Sequence, residues 1–101
     1  MKFQIKKPKE TVITLARQIG YMPLGVSADG EYNLVRPLAG QNYPSFHIYL
    51  KKDEEGVFCF NLHLDQKQPS YRGSAAHSGE YEGELVEKEV ERIKRIIDEI
   101  K

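Results

Sequence analysis

The sequence predicts an α+β fold, a three- to four-stranded antiparallel sheet with two helices packed on one face, in the order (β)αβββα. Apolar residues recur at helical spacing near both ends of the chain, whereas apolar and polar residues alternate in its middle, as in half-buried strands. The chain of 101 residues is long enough for one compact domain and too short for two. We therefore expect a single α+β domain over residues 1–101, with the second sheet face left open.

The first two elements are a short strand and a short amphipathic helix. Residues 2–6 alternate polar and apolar side chains, which indicates a half-buried strand, although the length also suits a tail. Pro8 is suited to a first helical turn, and apolar residues follow at positions 12, 15, 16 and 19. This spacing forms one apolar face. It predicts a helix over residues 8–19 that ends before Gly20.

The middle of the chain contains the strands. Residues 21–30 contain Pro23, Gly25 and Gly30, which predicts a loop or an irregular strand. Residues 31–36 have strand composition and precede Pro37. Residues 45–51 and 57–65 alternate cleanly, with apolar side chains on one face and polar side chains on the other. The sequence DEEG at 53–56 predicts a hairpin turn between them.

The hairpin turn predicts the register of these two strands. A three-residue loop with Gly56 at its left-handed position pairs His47 with His63 and Tyr49 with Asn61. A slip of one residue would bury the histidines and expose the phenylalanines, so we expect this register. Opposed side chains lie about 5 Å apart, which brings several polar residues together on the face away from the core. This cluster comprises His47, His63, Tyr49, Asn61 and Asp65.

A long polar loop over residues 66–80 and a second helix over residues 84–100 complete the chain. A loop of this length is uncommon inside a compact domain and is usually functional or disordered. The helix has apolar residues at positions 86, 90, 93, 97 and 100, a stripe that suits packing on the sheet. The stripe also fits a short coiled-coil seam, and hence a homodimer through this helix. The predicted core comprises Phe58, Phe60, Leu62, Leu64, Val90, Ile93 and Ile97.

Composition limits the cellular setting and the classes of partner. Fifteen Lys and Arg residues balance fifteen Asp and Glu residues, whereas a non-specific nucleic-acid binder usually has a basic excess. Cys59 is the only cysteine, which is typical of a reducing compartment. The N-terminal segment lacks the apolar run of a signal peptide, and no apolar stretch approaches the roughly 20 residues that span a bilayer. We expect a cytoplasmic protein with no membrane partner.

The first functional hypothesis is a binding domain for a phosphate-bearing ligand such as RNA. The loop over residues 66–80 combines cationic and aromatic side chains, which suit contacts to phosphates and bases. The open sheet face adds a stacking surface. The candidate ligand-binding residues are Lys67, Tyr71, Arg72, His77, Tyr49 and Asn61.

The second hypothesis is a small His-dependent hydrolase or ribonuclease. Its catalytic candidates are His47 and His63, with Asp65 as the residue that orients an imidazole for general acid–base chemistry. These three residues and His77 are also candidate ligands of a divalent metal ion such as zinc. One cysteine and the lack of a paired ligand motif mean that no cofactor is predicted outright. An ordinary solvated sheet face is the remaining alternative.

Three segments resemble a small microbial protein family of no known function: FHIYL at 46–50, FNLHLDQK at 60–67 and HSGEY at 77–81. This resemblance implies no activity. The predicted order of one helix, three strands and one helix is similar to that of double-stranded-RNA-binding-like folds, which small toxin ribonucleases of the HicA kind share. In those toxins a strand-edge histidine acts, which implies His47 here, although Ser45-Phe46-His47 replaces their Gly-Ser-His signature.

Overall fold

The structure, a computed structural model, describes residues 1–6, 8–38, 43–66, 79–80 and 82–100. Its elements are β1 Lys2–Ile5, α1 Val12–Gln18, β2 Met22–Val26, β3 Tyr32–Pro37, β4 Ser45–Lys52, β5 Phe58–Asp65, β6 Gly79–Glu80 and α2 Glu84–Ile100. The strands form one antiparallel sheet in the order β1-β5-β4-β3-β2, and the short β6 pairs with the end of β5. The predicted α+β class with an antiparallel sheet is confirmed. Neither described helix combines the length and the apolar composition that crossing a membrane requires.

The sheet has more strands than the predicted three to four, because five strands form its main path. The additional strand of this path is β2, in the segment predicted as a loop or an irregular strand. Proline is tolerated at a sheet edge, and the register of β2 shifts between Pro23 and Gly25, as at a β-bulge. All the strands but β1 precede α2 and follow α1. The described chain has five strands between the helices instead of three, so its order differs from that of double-stranded-RNA-binding-like folds.

Helix α1 begins at Val12, four residues later than the predicted start at Pro8. Thr11 is its N-cap, and the Thr11 hydroxyl accepts a hydrogen bond from the backbone N–H of Thr14 at 3.3 Å. Threonine is a favoured N-cap because its oxygen satisfies one of the free N–H groups at a helix start. The predicted stop is confirmed, since Gly20 has a positive φ of 87° after the last turn.

The hydrophobic core lies on one face of the sheet, and side chains from both helices belong to it. Phe60 is central, with 2% of its surface exposed, and its ring stacks on that of Phe3 at 4.6 Å. Every residue of the predicted core is buried. Both helices therefore cover the same sheet face, as the sequence predicts.

A buried polar network connects α2 with β3 and with the segment between α1 and β2. Glu89, which is 4% exposed, accepts hydrogen bonds from the Tyr21 hydroxyl at 2.6 Å and from Arg92 Nε at 2.7 Å. Arg36 Nη1 lies 3.4 Å from the same carboxylate. Burial, followed by the Glu89 charge, raises the pKa of Tyr21. The hydroxyl therefore keeps its proton and remains a donor to Glu89.

Candidate functional site

The predicted register of the β4–β5 hairpin is confirmed. His47 pairs with His63, and Tyr49 pairs with Asn61. The turn forms as the sequence predicts, because Gly56 has a φ of 85° and the Asp53 backbone N–H donates to the Val57 carbonyl at 2.9 Å. The polar side chains of the two strands therefore share the sheet face opposite the core.

His47, His63 and Asp65 form one cluster, which we call the His-Asp cluster. The Asp65 carboxylate lies between the two imidazoles: Oδ2 is 3.4 Å from His47 Nδ1, and Oδ1 is 3.2 Å from His63 Nε2. The centroids of the two imidazole rings are 4.8 Å apart. Donor atoms from all three side chains lie within 4.8 Å of one another. The fold thus brings together all three of the catalytic candidates predicted from the sequence.

The cluster is much less exposed than an open, solvated sheet face would be. His63 is 4% exposed and Asp65 is 6% exposed, and the His47 side chain is 15% exposed. Neighbouring rings provide part of this cover, since the Tyr49 ring lies 4.8 Å from that of His47 and 5.7 Å from that of His63. Asp65 and the histidines therefore interact in surroundings of reduced polarity, where charge effects are stronger than in water.

Burial lowers the pKa of both histidines in the cluster. For His47 the desolvation of the charged form outweighs the stabilising charge of Asp65. For His63 the same desolvation dominates, and the neighbouring His47 lowers the pKa further against the opposing effect of Asp65. Both imidazoles are therefore mainly neutral at pH 7, in the form that accepts a proton or binds a metal ion.

Asn33 is a member of this site that the sequence analysis missed. It lies on β3, opposite Tyr49 of β4, and its side-chain Oδ1 contacts Nε2 of His47. A neutral imidazole donates from one ring nitrogen only, so this contact bears on which nitrogen of His47 carries the hydrogen. The register of β3 with β4 would have indicated that Asn33 lies beside the cluster. Residues 31–36 do not alternate cleanly between polar and apolar side chains, so the sequence does not predict that register.

The candidate ligand-binding residues divide into two groups. Tyr49 and Asn61 are half-buried neighbours on the sheet face that carries the cluster. The other four, which come from the predicted loop, lie outside the described residues: Lys67, Tyr71, Arg72 and His77. Part of the predicted loop is a strand, since Gly79 and Glu80 form β6 beside Asp65 and Leu64.

Comparisons with protein-family models, with curated proteins and with solved structures found no match to this chain.

Proposed function

We propose that the protein is a small hydrolase of phosphodiesters, such as RNA, with the His-Asp cluster as its reaction centre. One observation carries the proposal: the Asp65 carboxylate lies within 3.4 Å of a ring nitrogen of His47 and within 3.2 Å of one of His63. A carboxylate that orients an imidazole is a recurrent arrangement for general acid–base chemistry. A cluster of titratable groups with perturbed pKa values is also typical of functional sites.

The arrangement suits hydrolysis by an activated water molecule. A neutral imidazole of the cluster removes a proton from the water as its oxygen bonds to phosphorus. The phosphorus–oxygen bond to the leaving alcohol then breaks, and the imidazolium returns the proton to that oxygen. Asp65 stabilises the imidazolium that forms in between, because opposite charges interact strongly where water is scarce. One imidazole thus acts first as base and then as acid, and Asp65 stabilises its charged form.

Replacement of either histidine is expected to lower turnover strongly. His47→Ala and His63→Ala should each reduce the rate of cleavage of RNA or of a small phosphodiester by about 10²-fold or more, as expected for a lost proton transfer. Substrate binding should largely survive, since a neutral imidazole adds little charge at pH 7. Steady-state kinetics on the purified variants, with folding checked by circular dichroism, measure both quantities.

Gln4→Ala is the matched control for these variants. Gln4 lies on β1 opposite Cys59 of β5, so it shares the sheet face but belongs to neither the cluster nor the candidate ligand-binding set. Its rate should equal that of the unaltered protein. A His63→Ala protein that is folded and cleaves as fast as the Gln4→Ala protein would rule out the proposed reaction centre.

A phosphate-binding domain without turnover is the second proposed function. It is supported by the sheet face opposite the core, which carries Tyr49 and Asn61, and by the cationic residues Lys67 and Arg72 of the sequence. On this proposal, Lys67→Ala and Arg72→Ala each weaken RNA binding. Each also lowers the slope of log affinity against log salt concentration by the amount expected for about one lost phosphate contact. His63→Ala then has only a small effect. Titrations of labelled RNA at several salt concentrations test this order, and equal salt slopes in all the variants would contradict it.

The partner and setting of the proposed function follow from the sequence. Nucleic acid is the proposed partner. A reducing cytoplasm is the proposed location, since Cys59 is the only cysteine in the sequence. A homodimer through the C-terminal helix stays a prediction. The apolar stripe of α2 packs in the core, and Leu85, at 54% exposure, is the large hydrophobic residue that the described part of this helix leaves exposed.

A further inference from the structure

His47 faces more oxygen atoms than a neutral imidazole can satisfy. The ring has one N–H when neutral, yet Oδ1 of Asn33 contacts Nε2 and Oδ2 of Asp65 lies 3.4 Å from Nδ1. When Nε2 donates its hydrogen to Asn33, the Nδ1 lone pair is directed towards a carboxylate oxygen, and the two repel each other. A proton or a metal ion between Nδ1 and the carboxylate removes this repulsion.

The spacing of the donor atoms suits a metal ion as that charge. Tetrahedral zinc, with bonds of about 2.0–2.2 Å to nitrogen and oxygen, holds neighbouring donors about 3.3–3.6 Å apart. The spacing is 3.4 Å between His47 Nδ1 and Asp65 Oδ2, and 3.2 Å between His63 Nε2 and Asp65 Oδ1. All three side chains offer donors within 4.8 Å of one another. A movement of about 1.5 Å therefore closes the set around one ion.

The geometry points to a divalent transition-metal site, with zinc as the expected ion, in which His47 Nδ1, His63 Nε2 and the Asp65 carboxylate are the ligands. The inference rests on the proposed function, because the metal would serve the same reaction centre: bound there, it would activate the attacking water in place of an imidazole, since a ligated imidazole nitrogen has no lone pair left for a proton. Two imidazoles and one carboxylate suit zinc, whereas magnesium and calcium favour sites made of oxygen ligands. Three protein ligands also leave a position for water or substrate, as in catalytic zinc sites.

Asn33 is the positioning residue of this site. Metal-binding histidines usually donate their second ring N–H to an acceptor, which sets the tautomer and the orientation of the ring. The contact of Asn33 Oδ1 with His47 Nε2 provides this acceptor and leaves Nδ1 free to coordinate the ion. Because the two residues lie on adjacent paired strands, β3 and β4, the sheet itself holds the ring in place.

Metal binding by the whole chain tests the inference without reference to activity. Protein stripped with a chelator is titrated with zinc by calorimetry, and with cobalt by visible absorption. We expect one zinc ion per chain and no binding of magnesium at the same concentration. Asp65→Asn should weaken zinc binding by about 10²-fold or more, and Asn33→Ala by about 10–100-fold, as for other residues that orient metal ligands. The control Asp29→Asn removes an exposed carboxylate that pairs with Lys51 and should bind zinc normally.

Folding and binding are separated by two further measurements. Asp65→Asn keeps the shape of the side chain, and its circular dichroism spectrum should match that of the unaltered protein. Zinc should raise the melting temperature of the unaltered protein, because an ion that binds only the folded state stabilises it, and it should raise that of Asp65→Asn much less. Asn33→Ala should show an intermediate effect.

Failure of the unaltered protein to bind zinc or cobalt overturns the site, as does an Asp65→Asn protein that binds zinc like the control. Normal zinc affinity in Asn33→Ala overturns the positioning role of Asn33. Zinc binding without any cleavage of phosphodiesters contradicts the proposed function and leaves the metal site standing. Cleavage by stripped protein that binds no zinc contradicts the metal site and leaves the proposed function standing.

Discussion

Replacement of Phe60 by alanine is expected to lower the free energy of unfolding by about 3–5 kcal/mol, the range for removing a large buried aromatic side chain. Phe60 is 2% exposed and lies on β5, between β1 and β4 in the sheet, with the Phe3 ring stacked on it at 4.6 Å. The loss combines the transfer free energy of the ring with the cavity that it leaves behind. Denaturant unfolding followed by circular dichroism measures the change in midpoint and slope.

Leu85→Ala is the control for Phe60→Ala, because Leu85 is 54% exposed and exposed substitutions usually change stability by about 0.5 kcal/mol or less. The expected Phe60 effect is therefore several times that of the control. If both variants unfold at the same denaturant concentration, Phe60 does not belong to the core and the packing of the sheet against the helices is wrong.

Replacement of Glu89 by alanine is expected to cost about 2–3 kcal/mol. Loss of one partner from a buried ion pair costs about 3–5 kcal/mol. The expected cost here is smaller because the Arg36 and Arg92 side chains are 31% and 29% exposed, so solvent screens their charges. The Tyr21 hydroxyl, on a residue only 3% exposed, also loses its acceptor. Thermal and denaturant unfolding measure the loss.

Glu87→Ala provides the comparison for Glu89→Ala, since Glu87 lies on the exposed side of the same helix. A double-mutant cycle with Tyr21→Phe isolates the hydrogen bond between Tyr21 and Glu89. We expect the combined variant to lose less stability than the two single losses added together, because both changes remove the same bond. Strict additivity would mean that Tyr21 and Glu89 do not interact.

The elements predicted best are those that are determined by residues close together in the sequence. Helix α2 has the bounds that its apolar spacing predicts, Glu84–Ile100. The pairing of His47 with His63 follows from two alternating strands joined by a turn in which Gly56 adopts a positive φ. A shift of register would reverse every side chain in such a hairpin, so one turn and one pattern are enough to predict it.

Other features depend on residues that are distant in the sequence, and periodicity does not report them. Strand β2 exists because β3 provides hydrogen bonds to a segment that contains Pro23 and Gly25, whose own preference is for a loop. The buried position of Glu89 requires Tyr21 and Arg36 beside it. A single acidic residue within an apolar stripe gives no sign of its partners.

By itself, the sequence determined the α+β class, the β4–β5 register and the face on which His47, His63 and Asp65 meet, because alternation and turn chemistry act over a few residues. Only the tertiary structure decided that Asn33 contacts His47 and that His63 and Asp65 are buried. Both depend on which strand packs beside which, and that choice is made by the free energy of the whole sheet and its core. The shift in the histidine pKa values follows from that burial, so the chemistry of the site is a property of the fold.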